Sequence, residues 1–159
     1  MSEQISEDVV RALERVGQMS ARNIEVLRRW IVAYNARDIE AMIAYFHPGL
    51  ELHSAFAAVG GGVYHGHAGL RSWHDDMRDA WGEEIRFEAE CHFDLGDETL
   101  TFYVVHGRGS HSGVEVAMPG ALLTRWRDGL IAYWRSYPHR EDALSDLGVC
   151  GDQLEPIEP

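Results

Sequence analysis

His53 and His106 are the residues whose type and setting best suit proton transfer. Each falls in a stretch that reads as a β-strand: His53 among Leu50, Leu52, Ala55 and Phe56, His106 in alternation with Phe102 and Val104. An imidazole titrates near neutrality, so one held in an apolar pocket can take a proton from a substrate and return it. Both are therefore expected inside a cavity as an acid/base pair. Large side chains that could hold an apolar ligand beside them are Trp30, Tyr34, Trp73, Phe102 and Met118.

Other chemistry has less behind it. His65 and His67 have the spacing of two metal ligands on a strand, with His53 or His74 as a third, but the pair falls at a glycine-flanked strand-to-helix junction. No metal site is expected. There is no GxSxG elbow, GxxxxGK[ST] loop or GxGxxG fingerprint, so neither an activated serine nor nucleotide binding is indicated. Cys91 and Cys150 lie far apart without a CxxC; free thiols are the simple reading, and a disulfide between them stays open. Arg108 is expected to face a carboxylate or carbonyl near a turn, and Asp97 and Asp128 read as turn formers.

The elements that would position these residues follow from periodicity. Val9, Leu13 and Val16 predict a short amphipathic helix ending near Gly17, and Ser20 is placed to cap a second one carrying Ile24, Leu27, Ile31 and Tyr34. Asp38 caps a third, which His47, Pro48 and Gly49 stop. Residues 50–56 read as a strand, Gly60 to Gly62 as a loop, and 63–65 as a second, brief strand. Leu70, Trp73, Met77 and Trp81 form another helical stripe.

The period then changes to two. Ile85, Phe87, Ala89, Cys91, Phe93 and Leu95 alternate with Arg86, Glu88, Glu90, His92 and Asp94, predicting a half-buried strand with one wet face. Three more strands follow over 99–108, 114–126 and 130–137, the middle one with a bulge expected at Pro119 and Gly120. Asp128-Gly129 marks a hairpin, and a helix over 140–147 ends at Gly148. Helices followed by hairpin-linked strands predict an α+β fold whose curled antiparallel sheet is covered by helices, leaving a conical cavity between the layers.

The totals narrow the partners. A chain of 159 residues fits one domain, and a formal net charge of −12 argues against nucleic acid and against anionic membranes. No apolar run approaches ~20 residues, and the acidic, polar start lacks a leader's basic and apolar regions, so a cytoplasmic protein is expected. The organisation expected is a helical extension over 1–19, one domain over 20–149 and a flexible acidic tail over 150–159.

Several local phrases, in order, resemble the SnoaL-like branch of the nuclear-transport-factor-2-like superfamily. They are Tyr34-Asn35-Ala36-Arg37-Asp38, His47-Pro48, Tyr64-His65-Gly66, Gly107-Arg108-Gly109 with Ser112-Gly113, Arg127-Asp128-Gly129 and Glu141-Asp142-Ala143-Leu144. The resemblance covers roughly residues 23–149. It implies a cone-shaped, cystatin-like roll. It also implies a cofactor-free cyclase, isomerase or dehydratase acting on a small apolar molecule, or else a non-catalytic ligand-binding or dimerising module. Against the epoxide-hydrolase relatives, Trp134-Arg135-Ser136-Tyr137 matches a phrase with a catalytic aspartate where Ser136 stands. A serine cannot serve as a carboxylate acid or base, which disfavours that reaction. The parity nonetheless adds Trp134 and Ser136, with Ala132, to the residues expected to line the pocket. A homodimer is expected through the outer sheet face, where Ile131 and Tyr133 flank Arg135.

Overall fold

The computed structural model describes residues 6–56, 62–109 and 112–159. The first five residues, most of the expected glycine loop at 60–62 and part of the turn before β5 lie outside the described residues. The elements run α1 (Glu7–Asn35), α2 (Ile39–Ile43), β1 (Phe46–Ser54), β2 (Gly62–His65), α3 (Gly66–Trp81), β3 (Arg86–Asp94), β4 (Glu98–Arg108), β5 (Glu115–Arg127), β6 (Leu130–Tyr137) and α4 (Arg140–Leu147). The six strands make one curved, unclosed sheet in the order β2-β1-β6-β5-β4-β3. All neighbours are antiparallel except β1 and β6, which run parallel, with β2, α3, β3, β4 and β5 intervening between them in the chain. Among the described residues no helix is long and apolar enough to cross a membrane.

The α+β architecture is the one expected, and α3, β6 and α4 fall close to their predicted bounds. Asp38 caps α2 by accepting from the Ala41 amide at 3.1 Å. Gly148 ends α4 in the left-handed conformation, φ 66°, where a side chain would be strained.

Three local expectations are corrected. The first two predicted helices are one, of 29 residues. A single interior glycine at 17 costs only ~1 kcal/mol, which helix formers on both sides outweigh. Ser20 consequently faces the core instead of capping. The ladder of β5 runs unbroken through Pro119, paired with Val104; the irregularity falls at Arg125/Trp126. Pro119 lies beyond Ala121, the last β5 residue paired with β6, so a missing N–H is tolerated there. In β3 a register shift between Ala89 and Cys91 inserts one residue. It reverses the predicted alternation, so His92, expected on a wet face, is fully buried.

The sheet separates two apolar clusters. Between its concave face and α1–α3 lie Leu27, Trp30, Tyr34, Met42, Phe46, Leu52, Leu70, Trp73, Met77, Phe87, Tyr103, Val105, Ile131 and Trp134. On the convex face Phe93, Leu100, Ala121, Leu123 and Tyr137 pack beneath α4, with Cys91, Phe102 and Leu154 at the margin. The C-terminal segment, expected to be loose, is tied to the edge of β3. His92 and Ile157 exchange backbone hydrogen bonds of 2.9 and 2.7 Å, and Arg28 donates to the Glu158 carbonyl at 2.9 Å.

Candidate functional site

The concave layer is walled by aromatic rings because helical and strand periods deliver them to the same space. Spacings of three and four on α1 turn Leu27, Trp30 and Tyr34 inward, α3 adds Trp73, and alternate residues on the strands add Phe87, Tyr103 and Trp134. Trp30 meets Trp134 and Phe87 edge-on at 4.6 and 5.2 Å between ring centroids, and Tyr34 in a tilted arrangement at 5.5 Å. Phe87 stands between the two tyrosines, 4.8 Å from Tyr34 and 5.3 Å from Tyr103. The cone expected to be hollow thus has rings in mutual contact across its centre.

Polar groups are set into this lining in two ways. Some are satisfied. The Trp73 indole donates to Ser54 Oγ at 3.0 Å. Ser136 Oγ accepts from the Ala55 amide at 2.8 Å and donates to the His53 carbonyl at 3.4 Å, so this hydroxyl fastens the end of β1 to β6. The Trp81 indole donates to the Phe56 carbonyl at 2.8 Å at the rim, where Phe56 and Met118 also pack.

Others have no acceptor. The Trp30 indole N–H and the hydroxyls of Tyr34 and Tyr103 are sealed from solvent without a hydrogen-bond partner among the described residues. Buried polar groups in folded proteins are nearly always paired, so three unpaired donors in one aromatic space are a departure that asks for a cause. Burial pushes both phenols well above the ordinary tyrosine range, so each remains an O–H donor. The nearby Arg37 and Arg78 guanidinium groups oppose this shift at Tyr34. At Tyr103, Arg140 and the Ser136 hydroxyl oppose it, although that hydroxyl makes its well-formed bonds to β1. Gly120, paired with Tyr103, makes room for the phenol: a Cβ there would lie 3.1 Å from Tyr103 Oη and 3.0 Å from the Tyr137 carbonyl.

His74 joins this set. It is buried on the core-facing side of α3, and its ring stands edge-on to Tyr34 at 5.6 Å. Burial is the main cause lowering its pKa, reinforced by Arg78 and Arg37 against the weaker pull of Asp75, so it is neutral at pH 7 and able to accept a proton.

The expected site residues divide accordingly. Trp30, Tyr34, Trp73, Trp134 and Ser136 are brought together in the concave layer, with Met118 at its edge. Three are elsewhere. His53 lies on the convex face, its Nε2 3.5 Å from Glu51 and its ring 5.4 Å from Tyr133. His106 is also on the convex face, bonded to Glu88 at 2.8 Å beside a shallow cleft of about 430 Å³ lined by Arg86, Arg108 and Glu115. Phe102 packs against Phe93 at 5.0 Å and under Arg140, again on the convex side. The cause is parity: inward positions are Leu50, Leu52 and Ser54 on β1 and Tyr103 and Val105 on β4, one residue out of step with the histidines.

Arg108 does meet a carboxylate, Glu115 at 2.6 Å, as expected of that turn. Cys91 and Cys150 are free thiols. His67 is bonded to the Phe46 carbonyl at 2.8 Å, and among the described residues no group of three or more His, Cys, Asp and Glu is arranged to hold a metal.

His74 and Tyr103 were missed as site residues, though the signals existed. His74 completes the stripe Leu70, Trp73, Met77 at spacings of four and three, and Tyr103 alternates with Val105.

The SnoaL-like domain family matches residues 27–134. No functionally curated protein matches the chain significantly. Solved structures agree on the fold at low identity. One is TerC, co-crystallised with polyporic acid: 22% identical, TM-score 0.64, covering 79% of this chain and 97% of that one. A putative polyketide cyclase from Xanthomonas campestris pv. campestris is 21% identical with a TM-score of 0.60, over 80% and 97% of the two chains. A protein with a ketosteroid isomerase-like fold from Catenulispora acidiphila, in complex with trimethylamine, is 19% identical with a TM-score of 0.64, over 80% and 95%. With the family model matching residues 27–134, most of its length, the chain belongs to the SnoaL-like domain family, and these solved structures share its fold.

Proposed function

We propose that this protein binds a small, largely apolar carbonyl compound between the concave face and α1, and moves a proton at the carbon beside that carbonyl. The observation that carries the reading is the set of three sealed donors, Trp30 Nε1, Tyr34 Oη and Tyr103 Oη, with no acceptor of their own. A carbonyl oxygen is the acceptor they lack. As His74 takes a proton from the adjacent carbon, the C–H pair moves into the carbon–carbon bond and the carbonyl pair moves to oxygen. The donors then face an enolate, where hydrogen bonding strengthens most in a dry site. Returning the proton to another carbon gives isomerisation; attack by the enolate carbon on a second carbonyl gives cyclisation. The chemistry is acid/base throughout and calls for no cofactor. The role expected of His53 and His106 passes to His74.

A second reading is a non-catalytic binding module. It is favoured by the carboxylates that pair with His53 and His106 lying outside the cone.

The test is α-proton exchange in D2O, followed by NMR, across a panel of aryl ketones and 1,3-diketones. Exchange above buffer is expected, falling roughly 100-fold in His74→Gln and roughly 10-fold or more in Tyr34→Phe and Tyr103→Phe. Because Tyr34→Phe removes an unpaired hydroxyl, it should leave stability unchanged or raise it slightly. Binding without exchange would favour the second reading, and neither binding nor exchange would defeat both.

A further inference from the structure

All three guanidinium nitrogens of Arg140 are engaged beneath the cone, on the side of the sheet away from it. Arg140 opens α4 on the convex face, its guanidinium 4.8 Å from the centre of the Phe102 ring. Nε donates to the Gly120 carbonyl at 3.2 Å, Nη2 donates to the Tyr103 carbonyl at 3.1 Å, and Nη1 meets Glu90 Oε2 at 2.8 Å. One side chain thus ties together β3, β4 and β5. The helix it belongs to does not account for it. A cation at the first position of a helix opposes the dipole, which Glu141 and Asp142 in the same turn complement.

The three bonds fall where the sheet is least continuous. Tyr103 and Gly120 face each other across β4 and β5. On one side of that pair the register of β3 shifts: Ala89 pairs with Tyr103 and Cys91 with Phe102, leaving Glu90 as the inserted residue. On the other side Ala121 is the last residue of β5 paired with β6. Gly120 itself brings no side chain, and Pro119 before it brings no amide hydrogen. An inserted residue disrupts a ladder locally, and an interior glycine weakens a strand. The backbone that carries Tyr103 therefore lies between an interrupted ladder and the end of another.

The same pair shapes the concave face. The Tyr103 phenol lies over Gly120, where an added Cβ would come within 3.1 Å of its oxygen. Phe87 and Phe56 stand 5.3 and 6.3 Å from the Tyr103 ring, contacts that set its packing but give the hydroxyl no anchor. The direction of that hydroxyl follows from the backbone beneath it.

We propose that Arg140 is a positioning residue, which from the convex side holds the Tyr103 backbone so that the phenol keeps its place among the donors of the cone. The inference rests on the reading of Tyr103 as a donor to a bound carbonyl. Geometry matters here as well as charge. A guanidinium presents a rigid planar fork that reaches two carbonyls and a carboxylate at once, which the single ammonium of a lysine does not reproduce. Glu90, supplied by the bulge, fixes the third nitrogen and so aims the other two. The cation also acts through space. Burial raises the Tyr103 pKa most, and Arg140 is the larger of the two influences opposing it. A positive charge on that side favours negative charge building on an oxygen that Tyr103 contacts. Docking of α4 has other support: Ala143 is fully buried, and Asp146 accepts from the Tyr137 hydroxyl at 3.0 Å.

Tyrosine labelled with 13C at Cζ reads the phenol directly, with Tyr103→Phe and Tyr34→Phe assigning two of the six signals. In Arg140→Met the Tyr103 signal should shift while that of Tyr34 stays in place. The ketone exchange assay gives a second readout on the same proteins. Arg140→Met should lower kcat roughly 5-fold and leave KM within about twofold. In a Tyr103→Phe background the same change should cost less than about twofold more, because the group it positions is gone. Arg140→Lys keeps the stem on Phe102 and the charge but not the fork; it should show the same effects at smaller size, and it is the variant to read if the methionine variant does not fold. A Tyr103 signal unmoved in both variants would overturn the proposal, as would a loss of exchange of equal size with and without the Tyr103 hydroxyl. A wild type without exchange would defeat the proton-transfer reading alone, and the tyrosine signals would then decide the role of Arg140.

Discussion

Between the concave face of the sheet and α1, the hydroxyls of Tyr34 and Tyr103 and the indole of Trp30 are sealed from water with nothing among the described residues to accept their hydrogen bonds. On the convex face His53 and His106 are half-exposed, each beside its own carboxylate. The residues that look most reactive by type are the ones whose polar groups are satisfied. Those that pass for packing material by type hold the unmet donors. A buried donor without a partner carries a free-energy cost of about 1–3 kcal/mol, which an exposed ion pair does not. Functional pressure is therefore better sought in that unrelieved cost than in residue type.

The sharpest way to break the comparison uses adjacent residues of β6. Trp134 is fully buried and meets Trp30, Phe46 and Trp73, whereas Tyr133 lies on the other face under Arg125. Trp134→Ala is expected to cost about 3–5 kcal/mol in denaturant unfolding, from lost transfer energy plus a cavity. Tyr133→Ala should cost about 1 kcal/mol or less. Equal losses would mean that the two faces are not energetically distinct, and the reading of a specialised concave layer would fail with them.

How far the sequence reveals these faces depends on parity. The α+β order, the bounds of β6 and α4 and the caps at Asp38 and Gly148 were all legible, because turn and cap residues act locally. The aromatic lining from α1 and α3 was legible as well, since a stripe at spacings of three and four has only one apolar face to bury. Strand residues were harder. Both faces of β4 carry apolar side chains, Phe102 and Leu100 toward α4 and Tyr103 and Val105 toward α1, so alternation alone does not say which side holds the cone. In β3 the inserted residue near Glu90 shifts the phase partway along, which no local signal announces. The junction at Gly17 failed for the opposite reason: a residue that often ends helices lies in an exposed arm where little opposes it.

His92 is the product of that phase shift and gives the next test. Its Nδ1 is bonded to Thr101 Oγ1 at 2.8 Å, its Nε2 is buried without a partner, and burial, assisted by Arg28, pushes its pKa down to about 4. The folded chain thus resists a proton that the unfolded chain accepts near 6.5. Stability from this group is complete above about pH 6.5 and is lost as the pH falls toward 4, by an amount of order 3 kcal/mol. Subtracting the pH–stability curve of His92→Gln from that of the wild type isolates the effect from the carboxylates titrating over the same range. A flat difference between pH 4 and 7 would show that His92 is not the buried, neutral imidazole the bulge makes it.

The smallest expected effects belong to the convex histidines, and their smallness is informative. Exposed ion pairs are generally worth less than ~1 kcal/mol, so His53→Ala and His106→Ala should each change unfolding free energy by no more than that. If the proton chemistry lies in the concave layer, neither should alter α-proton exchange in the ketone panel by more than about twofold, while His74→Gln lowers it roughly 100-fold. A large loss of exchange in His106→Ala, with stability unchanged, would move the chemistry to the convex cleft beside Glu88 and Arg108. It would also mean that unmet donors mark only imperfect packing in this fold. The two histidines thus test whether residue type or unsatisfied burial is the better guide to the working face of this sheet.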